Sequence, residues 1–166
     1  RSSMLPRELP YKDAVYNVSR VGLLPAAMNP VVLAQAAQQG KSGVAAAPAQ
    51  DANTCACAGG TRESAFADEL AAAQAQSNAL LFTATQDKLH QPYRGALMPP
   101  STELIALFRS KGYAAAVSGA GPCVLVLHYG NAREAIDQIA SEQLASGHWR
   151  VLHLPINTAG VEIERR

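Results

Sequence analysis

The chain has 166 residues and a formal net charge of +1, from 14 Lys and Arg against 13 Asp and Glu. That length fits one domain, and the near-neutral charge excludes an electrostatic nucleic-acid binder. No run of about 18 apolar residues is present to span a membrane as a helix, and no basic segment leading into an apolar run opens the chain as a secretory signal would.

The first residue is Arg1 and the nearest methionine is Met4, so the chain reads as a piece of a longer protein. Its three cysteines, Cys55, Cys57 and Cys123, are an odd number with no signal peptide, which argues against a disulfide framework. Cys55 and Cys57 lack the second ligand pair that a zinc site needs, and the four histidines are scattered. The expectation is reduced thiols in a cytoplasmic protein, with no metal site.

Arg1–Pro10 carries Pro6 and Pro10 and should be extended or turned. A helical pattern begins at Lys12. Ala14, Val15, Val18, Val21 and Leu24 recur at three- and four-residue steps, which predicts one buried face. Pro25 and Pro30 should interrupt or end this helix, and Val31–Gln39 could resume it. Gly40–Thr61 is rich in small residues without apolar period, and is expected to be a weakly ordered insertion.

Arg62–His90 predicts a long helix, with Phe66, Leu70, Ala73, Ser77, Leu80, Leu81 and Ala84 on one face. Pro92 should limit it, and Arg94–Leu97 should bridge to the Pro99-Pro100 breaker. Ser101, followed by Thr102 and Glu103, has the character of a helix cap. Leu104, Ile105, Leu107 and Phe108 form the next buried stripe, and Lys111-Gly112 should end it in a left-handed cap.

Tyr113–Ser118 and Cys123–Tyr129 predict two strands joined by Gly119-Ala120-Gly121-Pro122. Asn131 and Glu134 form an Asn-x-x-Glu variant of the capping box. Ala132, Ile136, Ile139 and Leu144 then predict one helix closed by Gly147, and Trp149–Ile156 and Val161–Glu164 two final strands. Two helices with an antiparallel sheet make an α+β, two-layer sandwich.

Three places have chemical potential. Ser118, Gly119, Ala120, Gly121 and Pro122 form a turn whose bare backbone could approach an anion. This turn joins two strands, however, and phosphate loops lead from a strand into a helix, so a plain hairpin is the stronger reading. Arg94 follows the proline-fixed segment His90-Gln91-Pro92-Tyr93, and its guanidinium could grip a carboxylate or phosphate through paired hydrogen bonds. On residue type alone a surface arginine is more common. Asn17 can donate and accept, and could face solvent or line a cleft.

In order along the chain stand Leu-Pro-x-x-Leu-Pro, Ala-Val-Tyr-Asn-Val-Ser-Arg, His-Gln-Pro-Tyr-Arg-Gly-Ala-Leu-Met-Pro and Val-Ser-Gly-Ala-Gly-Pro. This order resembles the C-terminal half of the homoserine kinases, in the GHMP small-molecule kinase superfamily. The resemblance runs from Arg1 to the final strand and is least typical over Gly40–Thr61. It implies a ferredoxin-like C-terminal domain, residues 1–166, packed against the protein's own N-terminal domain. It implies transfer of the ATP γ-phosphate to the hydroxyl of L-homoserine, a step of threonine biosynthesis.

By the same resemblance Arg94 would help to hold the substrate carboxylate, and Arg1 would be a second clamp. Asn17 matches a helix position near substrate, and Ser118–Pro122 would line the cleft. The family's Pro-x-x-x-Gly-Leu-Gly-Ser-Ser-Ala segment and its magnesium-binding acid have no counterpart between Arg1 and Arg166. ATP and Mg2+ would therefore be bound mainly by the N-terminal domain, and this chain alone would be inactive. Another GHMP kinase with a different substrate, or a non-catalytic binding domain of the same architecture, are the alternatives. The face that a partner domain would cover leaves a homodimer open.

Overall fold

The computed structural model describes residues 5–28, 60–154 and 163. The chain divides into two compact units, Arg1–Gly130 and Asn131–Arg166. The expectations for Arg1, for Val31–Gln39 and for 40–59 of the Gly40–Thr61 insertion lie outside the described residues.

In the first unit, helix α1 spans Tyr11–Val21, starting at Pro10, whose carbonyl accepts from the Asp13 and Ala14 amides. It stops before Gly22. Helix α2, Leu24–Ala27, then begins with Pro25 in its first turn, where a missing N–H costs no helical hydrogen bond. An interruption near Pro25 is thus as expected, and Pro30 lies outside the described residues.

The expected buried face is not. Val15, Val18 and Val21 are 47%, 71% and 61% exposed, and Ala14 and Leu24 are only half-buried. The helix instead turns Tyr16, Asn17 and Arg20 inward, where they meet Gln86, Asp87 and Lys88. The reason is polar complementarity. Rotating the valines inward would strip these three side chains of partners on a loop 66 to 71 residues away.

Helix α3, Gly60–Ala84, ends six residues before the expected His90, and Gly60 and Thr61, expected in the insertion, already belong to it. At its C-terminus the Thr83 and Thr85 hydroxyls fold back onto the Ala79 and Leu81 carbonyls. Of the expected inward face, Leu81 and Ala84 are buried and Leu70, Ala73, Ser77 and Leu80 are half-buried, while the Phe66 side chain lies outside those described.

The short helix α4, Gln91–Arg94, and a 3-10 turn, Gly95–Leu97, lead to helix α5, Pro99–Ser110. Both prolines sit in the first turn of α5, so Ser101 lies inside the helix rather than capping it. Its side chain is buried, and Oγ donates to the Pro122 carbonyl at 2.6 Å. The far end matches expectation. Gly112 takes φ +84°, with Gly112 N–H bonded to Arg109 O and Tyr113 N–H to Phe108 O, the paired bonds of a Schellman cap.

Strands β1, Ala114–Val117, and β2, Val124–Leu127, pair antiparallel, with Ala114 opposite Leu127 and Val117 opposite Val124. Ala114 packs with Ala27 of α2 and Leu81 of α3, and Leu80, Phe82, Leu127 and Tyr129 close around them. Leu104, Ile105 and Phe108 supply the buried side of α5, which also packs on the sheet. Helices gathered about a small antiparallel sheet make the unit α+β, as the sequence predicts.

In the second unit, residues 131–145 form two helices where one is expected: α6, Arg133–Ile139, and α7, Ser141–Ala145. The break falls at Ala140, which is buried and leaves helical ψ at +10°. Ala132 is the N-cap residue of α6, without a side-chain bond, so the expected Asn131–Glu134 capping box is absent. His153 Nε2 lies 3.0 Å from Asp137 Oδ2. Residues 149–154, expected as strand, are irregular, and of Val161–Glu164 only Ile163 is described, also outside any strand. Among the described residues the sheet therefore has two strands, not four.

Candidate functional site

Two open depressions flank the junction of α1 with the loop after α3. One, about 560 Å³, is lined by Lys12, Asp13, Tyr16, Lys88, Pro92 and Tyr93. The other, about 370 Å³, shares Tyr16, Lys88 and Pro92 and continues to Thr85, Asp87, Thr102 and Arg109. Their common wall is cationic and aromatic. The Tyr16 ring has the Arg20 guanidinium 4.4 Å from its centroid and the Lys88 ammonium at 4.1 Å, and both cations gain from its quadrupole.

Beneath this wall lies Asp87. Its Oδ1 accepts from Asn17 Nδ2 at 2.6 Å and from Leu89 N–H at 2.7 Å. Its Oδ2 accepts from Gln91 N–H at 2.8 Å and His90 N–H at 3.1 Å. Burial alone would raise the carboxyl pKa. The Asn17 bond and the amides of Leu89, Gln91 and His90 outweigh that penalty and hold it below the ordinary value. The other end of the Asn17 amide is also engaged, since Oδ1 accepts from Lys88 N–H at 2.8 Å.

Arg94 is the last residue of α4, half-buried, its amide bonded to His90 O. Its Nε is buried and makes no hydrogen bond among the described residues. A buried guanidinium N–H without an acceptor is costly, and a ligand oxygen would relieve that cost.

The Ser118–Pro122 turn is tied inward. Ser118 N–H bonds to Cys123 O at 2.8 Å and Gly121 N–H to Ser118 O at 3.1 Å, and Gly119 and Gly121 take φ of +60° and +78°. With two amides engaged and a strand rather than a helix following, the turn does not form a phosphate cradle. The described residues also gather no set of three or more His, Cys, Asp or Glu side chains that could hold a metal.

The turn and the Arg94 segment do meet. A Cβ on Gly121 would lie 2.5 Å from Met98 Sδ, and Met98 closes the 3-10 turn that follows Arg94. Ser101 adds its bond to Pro122. Neither Arg94 nor the turn lines the two depressions. Sequence reasoning missed Tyr16, Arg20, Asp87 and Lys88. The only signal was the motif around Asn17, because the loop partners lie about 70 residues away.

No helix among the described residues is long and apolar enough to cross a membrane. The family model for the C-terminal part of GHMP kinases matches residues 64–145. A homoserine kinase of Leifsonia xyli subsp. xyli is 37% identical over 165 residues, covering 98% of this chain and 36% of that protein. One of Clavibacter michiganensis subsp. michiganensis is 32% identical over 164 residues, covering 98% of this chain and 37% of that protein. One of Corynebacterium aurimucosum is 45% identical over 86 residues, covering 52% of this chain and 26% of that protein. The chain thus spans little more than a third of the length of the first two relatives.

Proposed function

Residues 64–145 belong to the GHMP kinase C-terminal family, and from that premise we propose that the chain is the substrate-side part of a homoserine kinase. The observation that carries this is the match to homoserine kinases along 98% of the chain. The reaction moves the γ-phosphate of ATP to the hydroxyl of L-homoserine, as a step of threonine biosynthesis in the cytoplasm.

In this reading the whole of 1–166 acts as a C-terminal domain. Its own N-terminal domain supplies the nucleotide cradle and the Mg2+ site. Arg94 binds the homoserine carboxylate, and its unpartnered buried Nε supports that role. Ser118–Pro122 borders the same cleft, joined to the Arg94 segment through Met98 and Ser101. Arg1 is a second clamp on the carboxylate. Because phosphoryl transfer depends on positioning and charge neutralisation around the phosphate, this part alone contributes orientation and no turnover.

The test is an assay of the intact protein with ATP, Mg2+ and L-homoserine, reading O-phosphohomoserine. Turnover with homoserine well above that with other small alcohols is expected; a clear preference for another alcohol would replace the substrate. Arg94→Ala should raise KM for homoserine by about 30-fold or more, as loss of one partner of a buried charged pair does. An unchanged KM would remove Arg94 from the site.

A further inference from the structure

Asp87 holds the chain entering α4, three residues ahead of the N-cap residue His90. Its two oxygens take the amides of Leu89 and His90 before the helix and of Gln91, its first residue, and Arg94 is the last residue of that four-residue helix. So short a helix has almost no internal support, since the first four N–H groups of any helix lack intrahelical partners. Its orientation, and with it the base of the Arg94 side chain, is therefore set by whatever holds those amides.

Asp87 is in turn held by Asn17. One amide of that side chain donates to Asp87 Oδ1 while its oxygen accepts from Lys88 N–H, so a single α1 residue grips two successive residues of the loop. The groups facing Asp87 are Asn17 and the three backbone amides, with His90 Nδ1 at 3.8 Å.

Building on the carboxylate-binding role of Arg94, we propose that Asn17 and Asp87 form a clasp that positions Arg94 from α1. Neither touches homoserine; they act through the α4 backbone. Asn17 thereby has a defined part in substrate recognition without being a ligand contact.

The experiment is a set of variants in the intact enzyme, Asp87→Ala, Asp87→Ser, Asn17→Ala and Arg94→Ala, with the double variant Asp87→Ala/Arg94→Ala. Asp87→Ala and Asn17→Ala should each raise KM for homoserine by about 2- to 30-fold, comparable with the loss of a helix cap. KM for ATP and kcat should stay near the parent values. Asp87→Ser, whose hydroxyl can still accept a backbone amide, should recover much of the effect of Asp87→Ala. The double variant should be no worse in KM than Arg94→Ala alone, because residues that act through one another do not add. Hydrogen exchange should quicken at the 89–91 and Arg94 amides in Asn17→Ala as in Asp87→Ala.

Effects that multiply in the double variant, or a fall in kcat alone, would overturn the clasp while leaving Arg94 as a ligand. Unchanged exchange in Asn17→Ala would overturn it too, even if a variant proved poorly active through misfolding. An Arg94→Ala enzyme with parental KM would retire the carboxylate reading, and the positioning role with it.

Discussion

Single residues in this chain are fixed by partners far away in sequence, and their chemistry makes two effects measurable. Asn78 of α3 pairs with residue 129 much as a neighbouring strand would: Oδ1 accepts from Tyr129 N–H at 2.8 Å and Nδ2 donates to Tyr129 O at 3.1 Å. That fixes the amide's orientation, so Nδ2 can only donate toward His128 Nε2, 3.2 Å away. His128 is thereby held as a neutral acceptor, and its partial burial outweighs a backbone hydrogen bond at Gly130 to lower its pKa from the ordinary value. The unfolded chain then binds a proton near pH 6.5 that the folded chain resists. This contribution is complete above about pH 6.5 and is lost as pH falls toward the lower folded value. Urea unfolding of the chain should show a midpoint that drops from pH 7.5 to 5.5, and His128→Gln should flatten that drop. Gly121 makes a separate case: at φ +78° an alanine would enter the left-handed region and press its Cβ on Met98 Sδ. Gly121→Ala should destabilise the chain by about 1–2 kcal/mol from backbone geometry alone, with any uncorrected Met98 contact adding to it. An unaltered melting temperature would show that the turn relaxes freely.

Among the elements, periodicity located α1, α3 and α5 but could not say what each face meets. For α3 and α5 the apolar stripe is the inward side, because Leu81, Leu104, Ile105 and Phe108 find apolar neighbours in this unit. In α1 the same reasoning names the outward side. The inward one carries Tyr16, Asn17 and Arg20, whose partners on the 86–88 loop no local pattern announces. Val18→Ser should therefore change the chain's stability by no more than about 0.5 kcal/mol, where a core valine would cost much more. A large loss of stability in thermal melts would return Val18 to the core. Arg109 of α5 is the opposite kind of residue. Its Nη2 donates to Phe82 O at 2.7 Å, and its Nη1 to Ala115 O at 3.0 Å and Thr85 Oγ1 at 3.1 Å, while its guanidinium lies 4.2 Å from the Phe82 ring centroid. One planar fork joins the end of α3 to β1. Arg109→Ala should cost about 1.5–3 kcal/mol in denaturant unfolding, and Arg109→Lys should recover little, because an ammonium cannot reproduce that fork. Sequence offered no more than a cation near a helix end.

For the whole molecule, four short motifs in order made the family legible, and two of them, around Arg94 and Gly121, do come together through Met98 and Ser101. The clasp beneath Arg94 was not legible, since the sequence places Asp87 inside the expected Arg62–His90 helix, which ends at Ala84, and nothing local points to Asn17 arriving from another helix. The expected final strands differ for another reason: Val151, Leu152 and Leu154 have the composition of a strand, yet they are irregular and stand exposed. The motif that cradles ATP phosphates in the family has no match in this sequence, and the Ser118–Pro122 turn has two of its amides engaged internally. In the proposed function this chain contributes an arginine and a wall of the substrate cleft, and the triphosphate is neutralised elsewhere. Purified and incubated with ATP, Mg2+ and L-homoserine, it should release no O-phosphohomoserine above the enzyme-free rate, and millimolar ATP should leave its melting temperature unmoved. A ligand that binds only the folded state at 100 times its Kd would stabilise it by about 2.7 kcal/mol, an easily read shift. Such a shift with ATP would mean that these residues hold nucleotide after all, and the proposed division of labour would have to be redrawn.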